Sequence, residues 1–424
     1  MAKVYAQVII DISIKSLDKI FTYEVPEGMV KELTVGAVVE IPFGKGNRLI
    51  KGYVLGLVDH IDFDESKVKE VHKIYENVSY EQELIELAVW MKERYTCTLQ
   101  TALKSLLPTQ PDVNKKQQRY IKSMLDQRQI LSTIEALDGQ KRYESRVRVL
   151  EVLLQRPHIM QTVLLDSAQV SPSVLTTMAK NNQIEVTYET TFRIPYDVDD
   201  FDITTNLKPN EEQNHAINSI VTSMIDSKPD VFLLHGVTGS GKTEVYMHVI
   251  EKALAECKSD IVLIPEIGLT PQMVRRFVER FGDIIGVMHS RLSVGERFDQ
   301  WRMAKEGKIK IMIGPRSAIF APFTSIGVII IDEEHEMTYK SEMPPKYHAR
   351  EVAVFRAYKH RCPVVLGSAT PLIETNYKAL NGTYKRLVLN NKAASDHLLD
   401  VTTIDMREEL SEGNKSPFSK ALQE

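Results

Sequence analysis

A chain of 424 residues is longer than one hydrophobic core usually serves, so two to four domains are expected. Its 43% hydrophobic and 26% charged residues, with a mean hydropathy of -0.20, exclude fibrous and disordered classes and fit an ordinary globular protein. The net charge of -4 argues against a surface coated in cations for nucleic acid. No apolar run reaches membrane-spanning length and the first residues lack the regions of a signal peptide, so a cytoplasmic protein with no membrane partner is expected. Cys97, Cys257 and Cys362 stand far apart with no C-x-x-C pair, so neither a disulfide framework nor a zinc site is read from them. They are expected to be small buried hydrophobes.

In chain order, residues 1 to about 105 open on strand-like alternation over Val4–Ile10, Ile20–Val25, Ala37–Phe43 and Gly52–Val58, separated by Gly and Pro. A small barrel or sandwich fits. Leu84, Ile85, Leu87, Ala88 and Met91 then recur at helical spacing over Glu81–Arg94, and Pro108 and Pro111 mark a boundary. Across 115–193 there are 12 Lys and Arg against 8 Asp and Glu, with Lys115, Lys116, Arg119, Lys141, Arg142, Arg146 and Arg148 in the first half. Solvated helix faces explain this bias as well as nucleic-acid contact does.

Residues 142–190 read as helix, short helix, helix and two short strands. Ser171 suits an N-cap and Pro172 a first turn, with Val174, Leu175 and Met178 on one face. Ile184–Tyr188 and Thr191–Ile194 are the expected wing strands of a winged-helix module, whose third helix presents Ser173, Thr176, Thr177 and Lys180 outward. Such modules also serve protein contacts, so the partner stays open. An acidic linker at 197–202 follows.

From Pro209 onward, short apolar strands alternate with amphipathic helices: Val231–Leu234, Asp260–Ile264, Ile284–Met288, Ile309–Ile313, Val328–Ile331 and Val364–Leu366. That pattern predicts a parallel sheet covered on both faces. Between its first strand and the next helix stands Gly236-Val237-Thr238-Gly239-Ser240-Gly241-Lys242-Thr243, which fits the phosphate loop G-x-x-x-x-G-K-[ST]. Its backbone N–H groups suit a polyphosphate, Lys242 the β/γ-phosphates and Thr243 a Mg²⁺ ion. Asp332 and Glu333 follow an apolar strand at the edge where ligands bind in such sheets. Asp332 can hold Mg²⁺, and Glu333 can position and deprotonate an attacking water, which makes Lys242, Asp332 and Glu333 the catalytic candidates. Gly367-Ser368-Ala369-Thr370-Pro371 places two hydroxyls at a further strand end, suited to sensing the γ-phosphate.

G-V-T-G-S-G-K-T-E-V-Y, D-E-E-H and G-S-A-T-P in this order resemble the superfamily 2 helicases, and among them the bacterial replication-restart family. The likeness runs along the whole chain. Residues 263–272, His289-Ser290-Arg291-Leu292-Ser293 and Gly314-Pro315-Arg316-Ser317-Ala318-Ile319-Phe320 look like that family's motifs Ia and Ib and its R-S-A-[IL]-F segment. The resemblance implies a multidomain α/β protein: a β-rich domain over 1–108 that binds the 3′ end of DNA, a winged helix over 115–195, a RecA-like ATP-binding lobe over 205–410, and at 411–424 the start of a connection to a second lobe. It implies ATP and Mg²⁺ as cofactors, coupling through His335, Ser368 and Thr370, and DNA contacts from Phe21, Thr22, Tyr23, Gly36, Lys69, Arg316, Tyr339, Lys340 and Tyr347.

Some of these assignments leave alternatives open on the residues themselves. Thr22 stands where many members carry an acid, and Phe21 and Tyr23 also fit strand alternation with one ring in the core and one outside. Tyr347 also fits helix packing. Gln213 resembles the element that reads the adenine edge, and reads equally as a helix-surface residue. The implied activity is an ATP-dependent 3′-to-5′ DNA helicase that recognises stalled forks and starts primosome assembly. Its implied partners are forked and single-stranded DNA, single-stranded-DNA-binding protein and helicase-loader proteins. The second lobe's arginines and the family's zinc-binding cysteine clusters are expected beyond Glu424, so this chain should bind ATP, hydrolyse it poorly and not unwind DNA. A non-enzymatic fork-binding module and a double-stranded-DNA translocase of the restriction type are the alternatives.

Overall fold

The computed structural model describes residues 3–62, 64–107, 116–195, 208–391 and 402–423. The boundary prolines Pro108 and Pro111, Lys115 and the acidic stretch 197–202 lie outside the described residues. Alternation in the first hundred residues folds as expected into β1 (Tyr5–Ile10), β2 (Phe21–Glu24), β3 (Ala37–Phe43) and β4 (Arg48–Val58). Two more strands, β5 (Lys69–Glu70) and β6 (Lys73–Ser79), were hidden by their polar sequence. The six run in the order β5-β2-β1-β4-β3-β6. Between β5 and β6, the Val71 N–H donates to the Glu24 carbonyl at 3.0 Å and the His72 N–H to the Glu40 carbonyl at 2.9 Å, so this segment bridges both sheet edges and closes a barrel. Ala6, Val8, Ile10, Tyr23, Val39, Ile41 and Val54 fill it.

α1 (Gln82–Tyr95) and α2 (Leu99–Leu106) follow the barrel and share one hydrophobic cluster with it and with the large sheet described below. The joint holds an ion pair with a buried guanidinium. Glu83 of α1 accepts two hydrogen bonds from Arg356, at 2.9 and 2.8 Å, and Trp90 stacks on Phe355 with ring centroids 4.6 Å apart.

The middle unit holds β7 (Lys116–Ser123), α3 (Gln127–Leu137), α4 (Glu144–Gln155), β8 (His158–Met160), α5 (Gln161–Ala168), α6 (Pro172–Lys180) and β9 (Ile184–Thr191) around its own core of Ile121, Ile130, Leu150, Leu153, Leu164 and Leu175. Leu175 and Met178 of α6 point inward, and Ser173, Thr176, Thr177 and Lys180 are exposed. The expected wing hairpin is corrected. β9 is one strand that pairs antiparallel with β7 along its whole length, from Ser123↔Ile184 to Lys116↔Thr191, and residues 192–194 leave the sheet. Their exit is fixed elsewhere: the Arg193 N–H and guanidinium donate to the buried Asp299 carboxylate at 2.9 and 2.8 Å. The cysteines also need correcting, for only Cys362 is buried, while Cys97 is half-buried and Cys257 exposed.

The last unit is a seven-stranded parallel sheet in the order β12-β13-β11-β14-β15-β10-β16. In sequence its elements are α7 (Glu211–Ile225), β10 (Val231–Gly236), α8 (Lys242–Ala255), β11 (Ser259–Leu263), α9 (Pro271–Phe281), β12 (Ile285–Val287), α10 (Val294–Lys305), β13 (Ile311–Gly314), β14 (Ile326–Ile331), α11 (Ala349–His360), β15 (Val364–Ser368), α12 (Ile373–Leu380) and β16 (Lys385–Leu389). α13 (Met406–Ser411) and α14 (Lys420–Gln423) end the described chain. Every residue of β11, β13, β14 and β15 is buried, because helices cover both faces. No described helix is long and apolar enough to cross a membrane.

Candidate nucleotide site and nucleic-acid surfaces

The phosphate loop leaves the central strand β10 and enters α8, with Gly239 and Gly241 at φ +82°. Gly241 is the N-cap of α8 and no side chain caps the helix, so its first-turn N–H groups remain for an anion. Lys242 is 8% exposed and its Nζ donates to the Gly236 carbonyl at 2.8 Å, which folds the loop over its own lysine. The Ser240 hydroxyl is buried without a hydrogen-bond partner. An orphan donor, an uncapped helix start and a lysine in one loop fit a Mg-nucleotide, with Thr243 and Asp332 as the residues that would hold the metal.

The helix-surface reading of Gln213 is corrected. It is 4% exposed, its Oε1 accepts from the Asn210 N–H at 2.9 Å, and its Nε2 donates to the Ser240 carbonyl at 2.9 Å. The amide ties α7 to the phosphate loop, and one Nε2 hydrogen and one Oε1 lone pair remain beyond these two bonds.

Asp332 emerges at the end of β14 beside this loop. Its Oδ1 accepts from the Tyr246 hydroxyl at 2.9 Å, and its backbone carbonyl accepts from the Tyr339 hydroxyl at 2.6 Å. Burial holds the Asp332 carboxyl above its ordinary range, and the Tyr246 hydrogen bond opposes that rise. Glu333 sits at φ +44°, in the left-handed region, where a non-glycine residue costs on the order of 1 kcal/mol. That turn aims its half-exposed carboxylate away from the strand. His335 connects the two motifs: its Nδ1 lies 2.9 Å from the Ser368 hydroxyl and 3.6 Å from the Glu333 carboxylate. The Ser368 oxygen also accepts from the Thr370 N–H at 3.0 Å. His335, Ser368 and Thr370 are thus brought together.

Glu334, which sequence reading passed over, is fully buried. It accepts from Arg350 at 2.9 Å, from the Leu372 N–H at 2.9 Å and from Thr375 at 3.0 Å. A third acid in a turn after a buried strand was the available signal, because a buried carboxylate demands donors.

Beside the sheet's C-terminal edge lies a groove of about 470 Å³ lined by Glu266, His289, Ser290, Arg316, Thr338 and Lys340 among others. A second cavity of about 470 Å³ shares Glu266, His289 and Ser290 and adds Arg275 and Arg291. The two cavities adjoin at these shared residues, and Arg275, Arg291, Arg316 and Lys340 are among their lining side chains. Arg316 donates to the carbonyls of Thr338 and Lys340 at 3.2 and 2.8 Å and so fixes the loop that presents the exposed Lys340. Tyr339 and Tyr347, expected to offer rings to bases, are corrected to core positions at 1% and 5% exposure. Tyr339 is pinned by its hydroxyl, which reaches the carbonyls of Leu263 and Asp332, and Tyr347 packs on Phe320 with centroids 5.0 Å apart.

On the barrel, Phe21 and Tyr23 share a face, since strand side chains alternate with period two. Tyr23 is buried with its hydroxyl on the Pro42 carbonyl at 3.3 Å, and Phe21 meets Phe43 edge-on at 5.4 Å. Lys69 pairs with Tyr23 across β5 and β2, and its Nζ donates to the Gly44 carbonyl at 2.7 Å. Phe21, Tyr23 and Lys69 converge at one end. Thr22 faces the other way, and Gly36 sits at the far end of β3, where a Cβ would lie 2.1 Å from the Tyr80 carbonyl oxygen.

Residues 7–108 match the family model of a 3′ DNA-binding domain, and residues 210–378 that of the DEAD/DEAH box helicases. The replication restart protein PriA of Bacillus subtilis is 36% identical over 99% of this chain and 60% of its own length. The protein of the same name from Chlamydia trachomatis is 36% identical over 98% of this chain and 55% of its own. The chain therefore spans little more than half the length of these relatives. A Pyrococcus furiosus Hef helicase domain aligns with a TM-score of 0.31 at 19% identity, over 44% of this chain and 38% of that one.

Proposed function

We propose that this chain, which belongs to the PriA family of replication restart proteins, is part of an ATP-driven 3′-to-5′ DNA helicase that takes hold of a 3′ end at a fork. The observation that carries the reading is the meeting of Lys242, Asp332 and the His335–Ser368 pair at one edge of a parallel sheet, beside a groove lined by Arg316 and Lys340. Lys242 and the first turn of α8 take the triphosphate charge. Mg²⁺ held by Thr243 and Asp332 would neutralise the rest. Glu333 orients the attacking water and accepts its proton, and His335 passes the state of that carboxylate to Ser368 and Thr370. Phosphates of a single strand meet Arg275, Arg291, Arg316 and Lys340 along the groove, while Phe21, Tyr23 and Lys69 mark the barrel end that receives the 3′ terminus. Single-stranded-DNA-binding protein and helicase-loader proteins are the partners this reading brings with it, and the cytoplasm the compartment.

Two experiments test it. Forks ending in a free 3′-hydroxyl should bind more tightly than the same forks ending in a 3′-phosphate, by ~5-fold or more, the cost of one hydrogen bond left unmade. Equal affinity would remove end recognition. The second concerns turnover. Among the described residues, the side chains that meet Asp332 and Glu333 are Tyr246, Tyr339 and His335, and none is an arginine. An arginine against the γ-phosphate is worth ~10³ to 10⁵ in such reactions, so this chain alone should bind ATP and turn it over slowly. Fast DNA-stimulated release of phosphate would contradict that expectation, whereas no ATP binding at all would favour a non-enzymatic fork-binding module.

A further inference from the structure

We infer that Tyr246 is a positioning residue for the magnesium-nucleotide site: its hydroxyl sets the rotamer of the Asp332 carboxylate and joins the phosphate-loop helix to both acid-bearing and hydroxyl-bearing strand ends. The inference rests on the nucleotide-binding reading above. Tyr246 lies four residues after Lys242, on the same face of α8, and is 2% exposed. Tyr246 belongs to the buried apolar cluster that includes Phe232, Val249 and Val365, where a phenylalanine ring would serve as well, so packing alone does not ask for a hydroxyl. The hydroxyl is spent on Asp332 Oδ1 at 2.9 Å.

Gly367 completes the fit. A Cβ there would stand 1.7 Å from the Tyr246 oxygen and 3.3 Å from Asp332 Oδ1, so the first residue of the G-S-A-T-P segment is a glycine because the phenol comes through its position. The next residue, Ser368, is the partner of His335. From the other side the Tyr339 hydroxyl holds the Asp332 backbone carbonyl at 2.6 Å. Two tyrosines thus hold one aspartate, one by its side chain and one by its backbone. With Oδ1 engaged, Oδ2 is the oxygen left to face a metal. A shift of α8 as its loop closes on phosphate is passed through one phenol to Asp332 and Gly367 together.

The test uses the full 424-residue chain and a fluorescent ATP analogue, titrated with Mg²⁺ and separately in excess EDTA. Tyr246→Phe should leave the EDTA affinity as in the unsubstituted chain. It should raise the Mg²⁺ concentration for half-maximal tightening by ~10-fold, as expected for one lost hydrogen bond to a charged group. Gly367→Ala should raise it at least as far, and adding Tyr246→Phe to Gly367→Ala should restore part of the loss by removing the clashing oxygen. An unchanged Mg²⁺ requirement in Tyr246→Phe overturns the inference, as does an equal loss with and without Mg²⁺, which would mark a purely structural role. If the unsubstituted chain itself shows no Mg²⁺-dependent binding, the nucleotide reading falls and takes this one with it.

Discussion

Replacing Glu83 with alanine is expected to weaken the joint between the barrel and the parallel-sheet unit by about 3–5 kcal/mol, the cost of leaving a buried guanidinium without its carboxylate. Arg356 is fully buried, and its three nitrogens are all committed: Nε and Nη2 donate to Glu83, and Nη1 donates to the carbonyls of Ile319 and Ala321 at 2.7 and 2.9 Å. Removing Glu83 strips two of these bonds and leaves the charge inside. Hydrogen exchange in α1 and α11 reads the effect directly, as faster exchange in both helices without a matching change in the middle unit. Acid should reproduce it. Burial alone would raise the Glu83 carboxyl, but Arg356 and His360 override it and hold the group down at about 2. A lowered carboxylate contributes stability that is whole above its ordinary value of 4.5 and is lost as pH falls toward 2. The joint should therefore loosen below about pH 4.5 in the unsubstituted chain and show no such step in Glu83→Ala. Replacing Glu83 and Arg356 together by leucine and methionine should recover most of the loss. Unaltered exchange in Glu83→Ala would mean that Trp90 on Phe355 and the shared apolar cluster hold the joint without help from the ion pair.

Much of this architecture was legible because burial writes itself into residue type. Strands β10 to β15 are short runs of Val, Ile and Leu with both faces covered, which no solvent-facing segment imitates. β16, an edge strand with exposed Lys385, Arg386 and Val388, lacks that run and passed unnoticed. β7 was hidden in the same way: Lys116-Gln117-Gln118-Arg119 reads as a basic surface, yet this half of the strand is held by its ladder to β9, while Ile121 alone of the strand enters the core cluster. The wing hairpin failed for a related cause. Periodicity cannot say which strand a segment pairs with, and the partner of β9 lay before four helices instead of after a turn.

The site divides along a similar line. Glycines, Lys242, Thr243, Asp332 and Glu333 were findable because phosphate and metal chemistry demand those groups at fixed spacing along one strand–loop–helix. The residues that aim them were not. Tyr246 and Tyr339 reach Asp332 from 86 and 7 residues away, and Arg350, Leu372 and Thr375 surround Glu334 from 16, 38 and 41 residues away, contacts that only the folded chain creates. Aromatic residues mislead most readily. Tyr339 and Tyr347 interleave with Lys340, Lys346 and Arg350 as a stacking loop would, but their rings serve the core while the cations remain outside or pair with acids.

Lys242→Ala should lower the affinity for a Mg-ATP analogue by ~10- to 100-fold while leaving single-stranded DNA affinity as it was. The magnitude is that of a hydrogen bond between charged groups, about 1.5–3 kcal/mol. Two features of the fold keep the effect local. The lysine belongs to the first turn of α8, where its Nζ meets the Gly236 carbonyl inside the loop, and the cationic groove is lined by other residues on the far strands of the sheet. Lys242→Arg should fail nearly as badly. A planar guanidinium needs two acceptors side by side, whereas this loop closes around a single ammonium that is 8% exposed. Fluorescence anisotropy with labelled nucleotide and labelled oligonucleotide separates the two surfaces in one preparation. Loss of both affinities would mean that the loop and the groove share residues. Loss of neither would show that Lys242 is engaged by Gly236 alone and that nucleotide binding does not depend on its charge.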